Sequence, residues 1–194
     1  MRKIPTLYRR NPANLRTLLP EVHPDCMWVL TGEGTATAKL DGVCTMLDGH
    51  GEWWTRREVK RGKAEPEGFV QVDADPETGK RVGWEPLAQS GWGKIHAAAI
   101  ATEPDMIYSP GTYELIGPKI NGNPHHYREH TLARHGALVL HNIPTGFESL
   151  RHLMHVWAIR DQECCSLYEG IVWHHPDGRR AKIKIRDFTR EATA

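Results

Sequence analysis

At 194 residues with 39% hydrophobic side chains, the chain has the material for one domain with its own core, and a second full domain is not expected. Its 25 lysines and arginines nearly balance 24 aspartates and glutamates, so a formal charge of +1 excludes a global basic field, and any nucleic-acid surface must be local. Neither a signal-peptide-length apolar run nor a stretch long enough to cross a bilayer occurs, so a soluble cytoplasmic protein without membrane association is expected.

The opening residues carry Arg2, Lys3, Arg9, Arg10 and Arg16, and residues 13–19 read as a short helix. Met27-Trp28-Val29-Leu30 reads as a strand and Gly32-Glu33-Gly34 as a turn; Thr35–Lys39 alternates as an extended segment running into a turn at Asp41-Gly42. Residues 44–47 are expected to return antiparallel, and residues 52–60 form another strand. Over residues 61–89 the composition shifts to Gly, Pro, Glu and Asp, with Asp75-Pro76-Glu77-Thr78-Gly79 a strong turn signal. That stretch reads as a loop-rich surface excursion within a single domain spanning residues 1–194.

Thr112-Tyr113-Glu114-Leu115-Ile116 is strand-like and ends in the polar loop at residues 117–124; residues 137–141 read as a buried strand. A helix starts at Thr145, where Glu148 three residues on makes a capping box, and Phe147, Leu150, Met154 and Trp157 recur at core-facing spacing. A hairpin closes the chain, with strands over residues 167–173 and 180–188 around a turn at 174–178. Strands dominate and helices are few, so the class is α+β with antiparallel sheet.

Cys26, Cys44, Cys164 and Cys165 make no disulfide framework, and reduced thiols are expected. The pairs His125-His126 and His174-His175 fall into no Cys/His spacing of a structural zinc site.

Three blocks carry chemistry: Lys39-Leu40-Asp41-Gly42, Glu169-Gly170-Ile171-Val172-Trp173, and Lys182-Ile183-Lys184. A lysine becomes a nucleophile only when unprotonated, and burial together with neighbouring cations favours that form. Residues two apart on a strand share a face, so Lys182 and Lys184 point one way and Ile183 and Ile185 the other, giving a pair of cations able to cap a phosphoanhydride. Gly42 after Asp41 suits a tight turn with close backbone approach. Glu169 can hold a magnesium ion beside phosphates. Glu114 can accept from ribose hydroxyls, and Arg56 or Arg57 can clamp a phosphate. Each part has a plain alternative, since Lys-x-Asp-Gly is a common surface turn and lysines often line the wet face of an edge strand. The ordered conjunction of the blocks is what favours the chemical reading.

In that order the blocks resemble the covalent nucleotidyltransferase superfamily of ATP-dependent polynucleotide ligases and mRNA-capping guanylyltransferases. The Lys-x-Asp-Gly-x-Cys sequence ending at Cys44, and the Glu114-Leu115-Ile116-Gly117 and Asn121-Gly122-Asn123-Pro124 segments, are most similar to small single-domain RNA ligases. The resemblance implies a nucleotidyltransferase (ligase adenylation) fold. It implies Lys39 as the site of a lysine–AMP phosphoramide, Lys182 and Lys184 as catalytic partners, and Asp41, Gly42, Arg56 or Arg57, Glu114 and Glu169 as nucleotide contacts, with Glu169 also the metal residue. The cofactors implied are ATP and Mg2+, with Mn2+ as a substitute. The partners implied are RNA ends bearing 5′-phosphate and 3′-hydroxyl groups, with no obligatory protein partner. No stacking aromatic stands at residues 139–141, so the adenine contact is left open. A GTP-using capping enzyme and a non-catalytic RNA-binding module on the same fold are the competing readings.

Overall fold

The computed structural model describes residues 3–163 and 168–189, so the expectations that fell on Arg2, Cys164, Cys165 and Leu167 lie outside the described residues. In chain order the elements are β1 (Tyr8–Asn11), β2 (Asn14–Val22), α1 (Met27–Leu30), β3 (Thr35–Lys39), β4 (Val43–Leu47), β5 (Trp53–Val59), β6 (Val70–Ala74) and β7 (Arg81–Pro86). There follow α2 (Gly93–Thr102), β8 (Gly111–Ile116), β9 (Thr131–Arg134), α3 (Phe147–Glu163), β10 (Gly170–His174), β11 (Arg180–Lys184) and α4 (Arg186–Thr189). The pairings between these named strands are all antiparallel, which bears out the α+β class. Among the described residues no helix is long and apolar enough to cross a membrane.

The chain separates into two compact units. The first comprises Met1–Lys3, Gly42–Asn123 and Tyr127–His135, and the second Ile4–Asp41, Pro124–His126 and Gly136–Ala194. The first unit is a six-stranded sheet in the order β6-β7-β5-β4-β8-β9. One face buries Leu47, Tyr113 and Leu115 with Ala99 of α2, and Trp53 sets its ring edge-on to His96 of the same helix at 4.5 Å between centroids.

The second unit holds a three-stranded sheet in the order β11-β10-β3 and the β1-β2 ribbon. Ile171, Trp173, Ala181 and Ile183 point to one side of that sheet, where Leu150 and Met154 of α3 meet them with Leu7 and Val29. Fully buried side chains such as Ile171, Ile183, Leu150 and Met154 each contribute roughly 1.5–3 kcal/mol relative to exposure. The alternation that buries Ile183 leaves Lys182 and Lys184 on the opposite face.

Several expectations are corrected. Ala13 lies in a turn and residues 14–19 in β2, because Asn11 and Asn14 turn the chain with their own side chains, accepting from the amides of Ala13 and Arg16, and Leu18 and Val22 reach the core from a ribbon. Met27–Leu30 is a helical turn: Pro24 and the His23 cap start a 3-10 segment at Pro24–Cys26, and Trp28 Nε1 donates back to the Asp25 carbonyl. The β4 strand does not return along β3; it pairs with β5 and β8. Residues 61–89 contain the β6-β7 hairpin, closed where Asp75 Oδ1 accepts from the amides of Glu77 and Thr78. Residues 137–141 form only an isolated bridge, Thr37 to Val139, with Leu138 and Val139 exposed. The long helix starts at Phe147, and Glu148 pairs with Arg151 one turn on. The final strand stops at Lys184, and Arg186–Thr189 is helical.

Candidate active site

Cross-strand register brings the three sequence blocks together in the second unit. Gly170 of β10 sits opposite Lys39 of β3 on one side and Lys184 of β11 on the other. Two residues along, Val172 lies between Thr37 and Lys182. Directly opposed residues share a face, so Lys39, Lys182 and Lys184 all project from the side away from the core. A Cβ on Gly170 would stand 2.1 Å from the Ile183 carbonyl oxygen and 2.7 Å from Lys184 Cα, so the middle of the row must be glycine. The β11 strand is no exposed edge: Lys182 N–H donates to the Pro5 carbonyl at 3.0 Å, and Leu7 N–H donates to the Lys182 carbonyl at 2.8 Å. That removes the edge-strand explanation for the lysine pair.

The Glu169 carboxylate is gripped from both sides, one oxygen by Lys39 Nζ and the other by Lys184 Nζ. Arg186 Nη2 lies 3.8 Å from the same carboxylate. The three paired side chains are only 20%, 12% and 15% exposed for Lys39, Glu169 and Lys184. Burial pushes the Glu169 carboxyl upward, but the charges and hydrogen bonds of Lys39 and Lys184 together outweigh it and the net shift is down. Burial and then the Lys39 charge hold Lys184 below the usual lysine range, against the pull of Glu169. Lys39, Lys182, Lys184 and Arg186 outnumber the carboxylates Glu169 and Asp187 around this face, so its field is net positive.

Lys182 is pushed from 10.5 down to about 8, by burial first and then by the Lys184 and Lys39 charges, with Glu169 and Asp187 pulling weakly the other way. The unfolded chain therefore binds more protons between pH 8 and 10.5, and the penalty Lys182 places on stability fades as pH rises through that window. A polyphosphate bound on this face should restore the proton. Calorimetry with tripolyphosphate in buffers of different ionisation enthalpy is expected to show proton uptake within that window and none near neutrality. A Lys182→Met variant should lose the uptake; uptake unchanged in that variant would remove Lys182 from the anion site.

In the first unit, β4 and β8 place Cys44 opposite Glu114. Glu114 Oε1 accepts from the Gly42 amide at 3.0 Å, and Oε2 meets His135 Nε2 at 2.6 Å. Gly42 has a specific steric reason to be glycine: a Cβ there would lie 2.3 Å from the Leu115 carbonyl oxygen and 2.9 Å from Glu114 Cγ. Neighbouring strand residues face opposite ways, and that separates the two arginines. Met46 opposes Trp54, so Arg56 shares a face with Cys44 and Glu114. Arg57 lies on the other face, 3.8 Å from Glu85. In the second unit, the Asp41 amide donates to His125 Nε2 at 2.8 Å. Buried Asp187 links Arg10 Nη2, at 2.7 Å, to the Lys184 amide, at 2.9 Å. His125, His135, Arg10 and Asp187 had no signal of their own in the sequence, since each acts through a partner between 3 and 177 residues away.

The second unit thus sets a half-buried lysine cluster around one glutamate on an antiparallel α+β frame. Residues 93–189, half of the chain, match the sequence profile of RNA ligase 1, and the chain belongs to that family. RNA ligase 1 of Rattus norvegicus is 40% identical over 79 residues and RNA ligase 1 of Danio rerio 35% identical over 85 residues. Each of these alignments covers 37% of this chain and 22% of the relative's length. The profile match contains Glu114, His125, His135, Glu169, Lys182 and Lys184, whereas Lys39, Asp41, Gly42, Arg56 and Arg57 precede it.

Proposed function

We propose that the chain is an ATP-dependent RNA ligase that joins 5′-phosphate and 3′-hydroxyl ends through a lysine–AMP intermediate on Lys39. The observation that carries this reading is the Lys39-Gly170-Lys184 row, with Lys182 beside it and Glu169 held between two of the lysines. Once Lys39 Nζ has released a proton to solvent, it forms a bond to the α-phosphorus of ATP and gives up a second proton, while the bond to the bridging oxygen breaks and pyrophosphate leaves. An RNA 5′-phosphate oxygen then attacks the same phosphorus, the P–N bond breaks, and Lys39 is restored. In the last step a 3′-hydroxyl loses its proton and attacks the 5′-phosphate phosphorus, and AMP departs. Lys182 and Lys184 stand where they can neutralise charge on the transferring phosphates. Glu114 is assigned to the ribose, and Asp41 and Gly42 to the nucleotide side of the motif.

Among the described residues no three His, Cys, Asp or Glu side chains gather to hold a metal. A magnesium or manganese ion fits here only if phosphate oxygens complete its shell, with Glu169 as the protein ligand. When bound, such an ion supplies further charge neutralisation at the phosphates. Incubation with labelled ATP and magnesium should label the protein covalently, with the label mapping to the peptide that contains Lys39. ATP should compete for that label where GTP does not, and a nicked or broken RNA hairpin should be sealed. Label on any other lysine, or none, would overturn the assignment.

Of the two candidate arginines, Arg56 is assigned to phosphate because it shares the Glu114 face. Arg56→Ala should slow labelling by about 10- to 100-fold, and Arg57→Ala should stay within about threefold of the parent. Equal losses in the two variants, measured at matched ATP, would sink the choice.

A further inference from the structure

The loop after β8 serves a purpose that the phosphate chemistry leaves unexplained. Residues Pro124–His126 belong with the compact unit that contains Lys39, although the chain on either side of them belongs with the other. The excursion is pinned at its base by Asn123, whose Oδ1 accepts from the Tyr127 amide at 3.1 Å and whose Nδ2 donates to the Tyr127 carbonyl at 2.9 Å. Asn123 at φ 52° and His126 at φ 54° both adopt the left-handed conformation that non-glycine residues seldom take, and Pro124 fixes the turn between them. Backbone held in such conformations persists where the surroundings over-determine it, often at functional sites.

What this loop presents is one half-buried imidazole. His125 Nε2 accepts the Asp41 amide proton, so its hydrogen sits on Nδ1. The main chain of Lys39 is thereby held at two points. Its carbonyl accepts from the Glu169 amide at 2.7 Å, and the peptide two residues on is held by His125 at 2.8 Å. We propose that His125 is a positioning residue that fixes the Lys39-Leu40-Asp41 path, and so sets the line along which Lys39 Nζ approaches the α-phosphorus. This rests on Lys39 being the nucleophile. The imidazole is proposed to act through the Asp41 amide rather than on a reacting atom, and small misplacements of a nucleophile cost rate more than binding.

Glutamine places an acceptor oxygen where Nε2 stands, whereas phenylalanine keeps the ring and loses the acceptor. Single-turnover labelling of the full chain by ATP should therefore slow at least about tenfold in His125→Phe at saturating ATP, with the half-saturating ATP concentration unchanged. His125→Gln should stay within about threefold of the parent. Hydrogen exchange of the Asp41 amide should speed up in His125→Phe and remain slow in His125→Gln, whether or not either variant labels. An unlabelled parent protein would defeat the Lys39 reading itself and this inference with it. A labelled parent with His125→Phe at the parental rate, equal losses in both variants, or a change confined to the ATP concentration dependence would overturn the role of His125 alone.

Discussion

Lys39→Arg is expected to lose covalent labelling by ATP at least about a thousandfold, the scale on which removing a covalent nucleophile is felt. Arginine is the informative substitution because it separates two things that Lys39 does. In the resting protein its ammonium is one of the two cations holding Glu169. A guanidinium can keep that pairing, yet it stays protonated and cannot form the phosphoramide. Lys39→Arg should therefore bind ATP close to the parental level and fail to label. Lys39→Ala should fail to label and also leave Glu169 held by Lys184, with Arg186 3.8 Å away, so its ATP affinity should shift as well. Intact mass after incubation with ATP and magnesium reads the first effect, and equilibrium binding the second. Label retained in Lys39→Arg would show that another amine carries the nucleotide.

The parts of this site legible in the sequence were those with a strict local period. Lys182 and Lys184 could be put on one face because a strand repeats every two residues, and the structure seats Ile183 in the core beneath them. The register that lines up Lys39, Gly170 and Lys184 was not legible, because pairing across strands that lie 130 residues apart is set by the tertiary fold. The choice between Arg56 and Arg57 failed for the same reason. Adjacent residues on a strand look alike until the sheet says which face is which, and it takes the β4-β5 and β4-β8 pairings together to put Glu114 on the Arg56 side.

Short apolar runs misled in the expected way. Met27–Leu30 has strand composition, but four residues cannot display a period, and the Pro24 start with the Trp28 indole bond to Asp25 settles them as a helical turn. The β6-β7 hairpin was hidden because an edge strand needs little apolar signal: half of Val70 is exposed, and the pairing comes from main chain and the Asp75 turn. His125 was unreadable because a side chain that accepts from a distant amide leaves no pattern in its own neighbourhood.

Gly170→Ala should destabilise the protein strongly. The new Cβ would lie 2.1 Å from the Ile183 carbonyl oxygen, 2.7 Å from Lys184 Cα and 3.0 Å from the Ile183 carbonyl carbon. All three are backbone atoms of the partner strand, so no rotamer change relieves the clash and β10 must part from β11. Overpacking of this kind costs about 1–3 kcal/mol or more, and a chain of this size should melt several degrees lower. Gly49 is the matched control: a Cβ there meets nothing within 4 Å, so Gly49→Ala should stay within about 0.5 kcal/mol of the parent. The strands would part in the row that sets Lys39 opposite Gly170 and Gly170 opposite Lys184, so ATP labelling should fall together with stability. Equal melting temperatures for the two alanine variants would mean that β10 and β11 are not held at this register. The lysines would then not share the row on which the proposed phosphate chemistry depends.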